Sequence, residues 1–221
     1  MITDTRAIVL RQVRTINSRR VIVLFTEKFG KISAGVTVSE RRNGKASLAM
    51  QPFTLGNYEL FRSRDNYHLN KGQVLKSFYG LGQDVEKYMA ASYGMELCDR
   101  MLEEWQPVPE IFGLTVDFLE TMEKRKERFN TLELAYQVKL MYLSGIFPGD
   151  REGLSALISE SDFAIIDVLQ FMLDHPLARF EKLALDPAME QQITTLLDGH
   201  LAEQYDLGEM KSQRMFFSPG E

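Results

Sequence analysis

The sequence predicts an α+β protein in which an N-terminal OB-fold β-barrel, residues 1–80, is followed by an all-helical domain, residues 81–221. In the first part apolar residues alternate with polar ones, which is the period of a half-buried strand. After residue 81 the apolar residues are three or four apart, which is the period of an amphipathic helix. Because five short strands in about 80 residues leave no room for crossover helices, a closed barrel is favoured over a parallel sheet.

The clearest strand pattern covers residues 31–38, where an apolar side chain occupies every second position. Two β-branched runs precede this segment, and two further candidates follow the polar stretch after it. We expect the last candidate to be interrupted at residues 70–72, where Asn, Lys and Gly follow one another. The strand candidates are residues 7–13, 21–25, 31–38, 57–64 and 66–78.

Helices are predicted from apolar stripes and from their start and stop residues. The first stripe runs from Val85 to Trp105 and stops at the prolines that follow it. We interpret the preceding Gly80-Leu81-Gly82 as a strand-to-helix turn, because the third glycine of a dinucleotide-binding loop is absent. The later helices are predicted over residues 110–126, after an N-cap at Asn130, between Ser159/Asp162 and Pro176, and from Asp186-Pro187 onward.

Several classes of protein are disfavoured by composition. The longest apolar run has five residues, 21–25, so we expect no membrane span and no signal peptide, and a cytoplasmic location. The single cysteine, Cys98, cannot form an internal disulfide, and no Cys/His cluster offers a zinc site. Hydrolase, metalloprotease and P-loop motifs are absent, and His68, His175 and His200 are far apart in the sequence. We therefore expect no catalytic residues, no metal and no cofactor.

Charge is segregated along the chain. Residues 1–80 contain fourteen Lys and Arg against five Asp and Glu, a net charge of +9, whereas residues 81–221 carry −14. Such asymmetry indicates that the first part binds a polyanion, although electrostatic docking of the two parts on each other is an alternative. The candidate nucleic-acid-binding residues are Arg11, Arg14, Arg19, Arg20, Lys31, Arg41, Arg42, Lys45, Arg62, Arg64, Lys71 and Lys76.

Binding of exposed bases also requires flat apolar surfaces. The aromatic residues nearest to the basic positions are Tyr58, Phe61 and Tyr67, and each is either a stacking platform or part of the barrel core. Because no strand presents a regular row of base-reading side chains, we expect little sequence preference.

Four segments of the first part resemble the N-terminal barrel of the bacterial RecO family of recombination mediators: TRAIVLRQV, VIVLFTEKFGKISAGV, ERRNGKAS and LAMQPFT. The similarity continues in three segments of the second part: YMAASYGMELCDRMLEEWQPVPEIFGLTVDFLETME, FNTLELAYQVKLMYLSGIFP and the closing GHLAEQYDLGEMKSQRMF, with Lys211 and Ser212. The resemblance implies a DNA repair and recombination protein without chemical turnover. Such a protein would bind single- and double-stranded DNA, anneal complementary strands and help load RecA with RecR.

The resemblance also implies a protein partner for the helical domain. In this family a helical pocket accepts the acidic, apolar C-terminal tail of single-strand-binding protein, which requires a basic group beside an apolar surface. The candidates here are Lys124, Lys126, Arg128 and Lys139, and a solvated helix face is the alternative interpretation for most of them.

Two departures from the family pattern are visible. Many members carry a four-cysteine zinc site after the segment that corresponds to Phe147-Pro148, whereas this chain continues with Gly149-Asp150-Arg151 and predicts a zinc-free form. The turn TINSRR lacks the acidic residue that relatives commonly have before the second strand. The alternatives to a DNA-binding mediator are an RNA-binding barrel, and an interaction scaffold whose basic barrel docks on an acidic protein.

Overall fold

The computed structural model describes residues 2–14, 20–36, 48–63, 66–158, 163–207 and 210–212. The chain divides into two compact units. The barrel unit comprises Met1–Gly80 together with Leu102–Val116, and the helical unit comprises Leu81–Met101 together with Asp117–Glu221.

The barrel unit is built on five strands: β1 Ile2–Arg14, β2 Arg20–Thr26, β3 Gly30–Val36, β4 Thr54–Ser63 and β5 Asn66–Ser77. They form a closed barrel in the order β1-β2-β3-β5-β4. All neighbouring strands are antiparallel except β3 and β5, which are parallel. The predicted α+β fold with an N-terminal OB-type barrel is confirmed.

Strand β1 closes the barrel because it is long enough to pair on both sides. Its N-terminal half pairs with β4, from Ile2 opposite Phe61 to Ile8 opposite Leu55. Its C-terminal half pairs with β2, ending with Arg14 opposite Arg20.

The predicted interruption of the fifth strand is a local irregularity within a continuous strand. Glu59 pairs with Lys71 and Leu60 with Leu69, so Asn70 is one residue extra on β5. Such an extra residue is typical of a β-bulge. The Asn70 side-chain amide donates to the Glu59 carboxylate across the two strands.

The barrel interior is filled by the alternating side chains that the sequence pattern predicts. Ile22 and Leu24 of β2, Ile32 and Ala34 of β3, and Leu60 of β4 are fully buried in one cluster. The core therefore lies inside the closed sheet, and the other face of each strand is available to solvent or to further packing.

Residues Leu102–Val116 cover part of the outer face of this barrel. The Phe112 ring meets the Phe25 ring edge to face, with ring centroids 5.4 Å apart. The Trp105 backbone N–H donates to the Lys31 carbonyl at 3.0 Å. A segment that follows the first long helix in sequence is therefore an integral part of the barrel unit.

The helices are α1 Val85–Met101, α2 Pro109–Lys124, α3 Phe129–Leu143, α4 Arg151–Leu157, α5 Phe163–Asp174 and α6 Pro187–Gln204, with 3-10 segments at Tyr79–Gln83 and Leu177–Lys182. The boundary between the two units falls within α2. Helix α3 is the centre of the helical unit, because nearly all of it is buried and it packs against α1, α5 and α6.

Among the described helices, none is long and apolar enough to cross a lipid bilayer.

The structure corrects two helix predictions and adds one helix. Helix α1 ends at Met101, so Trp105 lies in the connection that follows and not on the helix. Helix α3 begins one residue before Asn130, and its N-cap is Arg128 in the left-handed conformation, with no side-chain cap. The short helix α4, capped by Asp150, has no predicted counterpart. The turn at Gly80-Leu81-Gly82 and the N-cap at Asp186 are confirmed.

Candidate nucleic-acid interface

Seven of the twelve predicted nucleic-acid-binding positions fall within the described residues, and none of the seven is buried. These are Arg11, Arg14, Arg20, Lys31, Arg62, Lys71 and Lys76. The other five, Arg19, Arg41, Arg42, Lys45 and Arg64, lie outside the described residues.

Two of the seven are brought together by strand pairing. Arg14, the last residue of β1, is directly opposite Arg20, the first residue of β2. Arg14 is exposed and Arg20 is half-buried. Like charges directly opposite each other on neighbouring strands are destabilising, so a bound anion between them would relieve a cost already built into the fold. The pair is suited to a phosphate.

Arg62 lies elsewhere. It is near the end of β4 and opposite Tyr67 at the start of β5, so in strand direction it is at the other end of the barrel from the Arg14–Arg20 pair. The Arg62 Cζ atom lies 5.9 Å from the Tyr67 ring centroid and 5.6 Å from that of Trp105. We call Arg62, Tyr67 and Trp105 the aromatic corner.

The remaining cations are distributed over the strands. Arg11 is exposed opposite the apolar Val23, whereas Lys71 is opposite the acidic Glu59. The Lys76 Nζ atom lies 4.7 Å from the centroid of the Phe78 ring. The described cations are thus spread over the strands, and among these seven only Arg14 and Arg20 are directly opposite each other in the strand register.

Of the two alternatives for the aromatic candidates, the structure places Tyr58 and Tyr67 in the barrel core and not on a stacking surface. Tyr58 is fully buried, its hydroxyl donates to the Ala49 carbonyl at 2.6 Å, and burial raises its pKa. Tyr67 is only 4% exposed, because its ring packs between Phe29 and Trp105. Neither ring can receive a base without unfolding the barrel core. Phe61 is 44% exposed and stays a prediction.

Sequence reasoning missed Trp105. The apolar spacing places it on the stripe of the first helix, whereas the structure places it on the barrel unit, with its ring stacked on Tyr67 at a centroid distance of 5.0 Å. It is 42% exposed and has a backbone φ of 68°, which is rare for a residue other than glycine. The available signal was its position just before Pro107 and Pro109, where a helix cannot continue.

The four basic residues of the helical unit that are predicted to bind the tail of a partner protein differ in their exposure. Lys124, Lys126 and Arg128 are exposed. Lys139 is half-buried, and its Nζ atom donates to the Leu173 carbonyl at 2.8 Å, near the C-terminus of α5. Burial lowers the Lys139 pKa, and Asp174 opposes that shift. Lys139 is therefore already bound within the fold.

Arg125 lies between Lys124 and Lys126 and is buried, and it is not among the residues predicted to bind a partner. Its Nε atom donates to the carbonyls of Glu127 and Arg128, and its Nη2 atom donates to that of Phe180 at 3.0 Å. Its Nη1 atom has no hydrogen-bond partner among the described residues. Burial and the neighbouring Arg128 lower the Arg125 pKa. A groove of about 510 Å³ beside Phe180 is lined by Phe171, Ala178, Arg179, Glu181, Lys182 and Leu183.

The described residues contain no group of three or more His, Cys, Asp or Glu side chains arranged to hold a metal ion. The residues present do not fit a four-cysteine zinc site, because Cys98 is the only cysteine and is buried. The segment after Phe147-Pro148 instead starts α4, where the Asp150 carboxylate accepts the Gly153 N–H at 2.8 Å.

Comparison with known proteins gives two family matches. Residues 1–78 match the family described as Recombination protein O N terminal, and residues 82–149 match Recombination protein O C terminal. A DNA repair protein RecO of Alkaliphilus metalliredigens is 34% identical over 149 residues, which is 67% of this chain and 60% of that protein. One of Caldanaerobacter subterraneus is 28% identical over 202 residues, covering 81% of this chain and 82% of the relative. One of Listeria innocua is 28% identical over 141 residues, covering 64% and 55%.

Proposed function

Because the chain belongs to the RecO family of DNA repair proteins, we propose that it acts as a DNA-binding mediator of recombination without chemical turnover. In this role it binds single- and double-stranded DNA and anneals complementary strands. With RecR, it helps load RecA onto strands coated by single-strand-binding protein. The whole-protein activities are part of the proposal, since the chain spans 60% of the length of the Alkaliphilus relative.

The observation that supports DNA binding most directly is the Arg14–Arg20 pair on a unit of positive net charge. Each cation that neutralises a phosphate releases a counterion, so binding is strengthened most at low salt. Annealing requires that repulsion between two phosphate backbones be screened, and a barrel with cations on several of its strands is suited to hold both DNA strands.

The test is a titration of a labelled single strand at several salt concentrations with the wild type and the double variant Arg14→Ala/Arg20→Ala. Loss of two phosphate contacts should weaken binding and reduce the slope of log affinity against log salt by about 1.4. The matched control, Lys124→Ala/Lys126→Ala, removes the same charge from exposed positions of the helical unit and should leave the slope unchanged.

An unchanged slope for Arg14→Ala/Arg20→Ala would remove the pair from the DNA interface. Absence of binding by the wild type at low salt would contradict the proposed function as a whole. Adding the complementary strand in the same titration measures annealing, which should be faster with the protein present than without it.

For the helical unit we propose contact with the acidic tail of single-strand-binding protein. The groove beside Phe180 supports this assignment because it combines apolar side chains with Arg179 and Lys182, and the buried Arg125 lies next to it. Lys124, Lys126 and Arg128 are exposed and would contribute long-range attraction to an acidic peptide. Fluorescence anisotropy of a labelled acidic peptide with an apolar end, titrated with the full chain, measures this contact.

A further inference from the structure

Three aromatic rings form a row at one end of the barrel. Phe29 precedes β3 and lies 6.1 Å from Tyr67, and Tyr67 lies 5.0 Å from Trp105. The middle ring of the row is covered, since Tyr67 is 4% exposed, whereas Trp105 at one end is 42% exposed. The row therefore ends in an indole ring that faces solvent.

Arg62 does not lie over the outer face of that indole. The Arg62 Cζ atom is 5.6 Å from the Trp105 centroid and 5.9 Å from the Tyr67 centroid, while the two rings are 5.0 Å apart. A cation on the outer face of Trp105 would be far more distant from Tyr67 than from Trp105. Because the two distances are nearly equal, Arg62 lies alongside the stacked pair.

The backbone that carries the Trp105 ring is held by two contacts. Its N–H donates to the Lys31 carbonyl, and the adjoining Gln106 packs against Gly30 so closely that a Cβ atom at Gly30 would lie 2.0 Å from the Gln106 carbonyl oxygen. The φ of 68° at Trp105 is a strained conformation for a residue with a side chain. These contacts fix the backbone of Trp105, and stacking on Tyr67 at 5.0 Å orients its ring.

We propose that the aromatic corner is a nucleobase-stacking site, in which one base of single-stranded DNA stacks on the outer face of Trp105 and its phosphate contacts Arg62. The inference rests on the proposed function and adds a site to it from a segment outside the strands. Stacking of a base on an aromatic ring tolerates any base, so the site adds affinity for single strands without sequence preference. A base paired in a duplex does not expose its face, so the site also favours single over double strands.

The experiment uses the fact that Trp105 is the only tryptophan of the chain. Emission of the full chain excited at the red edge of the absorption band, where its eight tyrosines absorb little, therefore reports on this ring alone. We expect quenching on titration with an oligothymidylate, and little quenching with a strand of the same length in which the bases are removed and the phosphates kept.

The second readout is the affinity of the protein for a labelled single strand. Trp105→Ala should weaken binding of the base-bearing strand by at least about 5-fold, from the usual range for one base-stacking contact, and leave binding of the abasic strand unchanged. Trp105→Phe retains a stacking ring and should recover most of the affinity. The matched control is Tyr142→Ala, which removes an exposed aromatic ring from α3.

The outcomes separate this inference from the proposed function. Binding of the oligothymidylate with no change in emission and no effect of Trp105→Ala would overturn the stacking site while leaving DNA binding intact. Equal losses on base-bearing and abasic strands would also overturn it, since such losses indicate a general disturbance of the barrel. Failure of the wild type to bind any strand at low salt would overturn the proposed function itself.

Discussion

Glu133 is a buried carboxylate with two other carboxylates near it. It lies on the central helix α3, and its Oε1 atom has no hydrogen-bond partner among the described residues. Burial raises the pKa of Glu133 well above 4.5, and the nearby carboxylates of Asp198 and Glu190 on α6 raise it further. Burial also raises the pKa of Asp198, although the Tyr93 hydroxyl donates to that carboxylate at 3.2 Å. The folded state therefore holds a proton on Glu133 more tightly than the unfolded chain does.

This raised pKa gives a pH dependence with a definite sign. The unfolded chain loses the Glu133 proton near pH 4.5, whereas the folded protein loses it at a higher pH. Between those two values the wild type loses about 1.4 kcal/mol of unfolding free energy per pH unit relative to a variant that does not titrate. We expect Glu133→Gln to be more stable than the wild type at pH 7, and this advantage to disappear below about pH 4.5. Urea denaturation followed by circular dichroism at several pH values measures the difference.

The control for this prediction is Glu203→Gln, which makes the same chemical change at an exposed position of α6. Its unfolding free energy should stay within about 0.5 kcal/mol of the wild type. A Glu133→Gln variant whose stability follows that of the wild type across the whole pH range would contradict the assignment of a raised pKa.

At the level of single residues, alternation along a strand decides which aromatic ring points into the barrel. Tyr58 lies two positions before the core residue Leu60, and Tyr67 two positions before the core residue Leu69, so both rings point to the same side as the core. Phe61 is adjacent to Leu60, so its side chain points to the other face of the strand and is exposed. The position of Trp105 could not be read in this way, because it depends on a hydrogen bond to Lys31, more than seventy residues earlier in the chain.

Two helix starts in the helical unit show how the same cap signal has different outcomes. Asp186 caps α6, since its carboxylate accepts the N–H groups of Ala188 and Met189 at 3.0 Å each. Asn130, which the sequence also predicts as a cap, lies inside α3 and donates instead to the Glu190 carboxylate at 3.0 Å on the surface. The two side chains therefore differ in what they stabilise.

We expect Asp186→Ala to lower the unfolding free energy by about 1 kcal/mol, because two backbone donors lose their acceptor. Asn130→Ala removes one exposed hydrogen bond and should cost no more than about 0.5 kcal/mol. Urea denaturation of both variants at pH 7 compares them directly. A larger loss for Asn130→Ala than for Asp186→Ala would reverse the assignment of the two caps.

At the level of elements, the strands and the long helices follow from local pattern, whereas the departures have tertiary causes. Strand β5 is continuous through its polar centre because Asn70 is accommodated as an extra residue opposite β4. Helix α4 has only seven residues, which is too short for an apolar period to establish itself. Helix α3 starts before Asn130 because Arg128 takes the left-handed conformation and its carbonyl accepts from the buried Arg125.

For the whole molecule, the compact units do not coincide with the point where the sequence period changes. Residues 102–116 bring three acids, Glu103, Glu104 and Glu110, to the barrel unit, so its net charge is +6 where residues 1–80 alone have +9. The unit remains basic, which preserves the argument for a polyanion. The sequence of α2 predicts an apolar face, but an apolar face does not specify which element it packs against. The packing of the first turns of α2 on the barrel could therefore not be predicted.

The last prediction tests whether this distant segment is required by the barrel. Phe112 is buried against Phe25, and the Arg6 Cζ atom lies 5.7 Å from its ring centroid. Phe112→Ala should lower the unfolding free energy of the barrel unit by about 3 to 5 kcal/mol, the usual cost of removing a buried aromatic side chain. Trp105 emission during urea denaturation reports this transition, because Trp105 belongs to the same unit.

Phe163→Ala, which removes an exposed phenyl ring from α5, is the control and should leave the Trp105 transition unchanged. If Phe112→Ala left it unchanged as well, residues 102–116 would be dispensable for the barrel, and the fixed orientation of Trp105 would need another source.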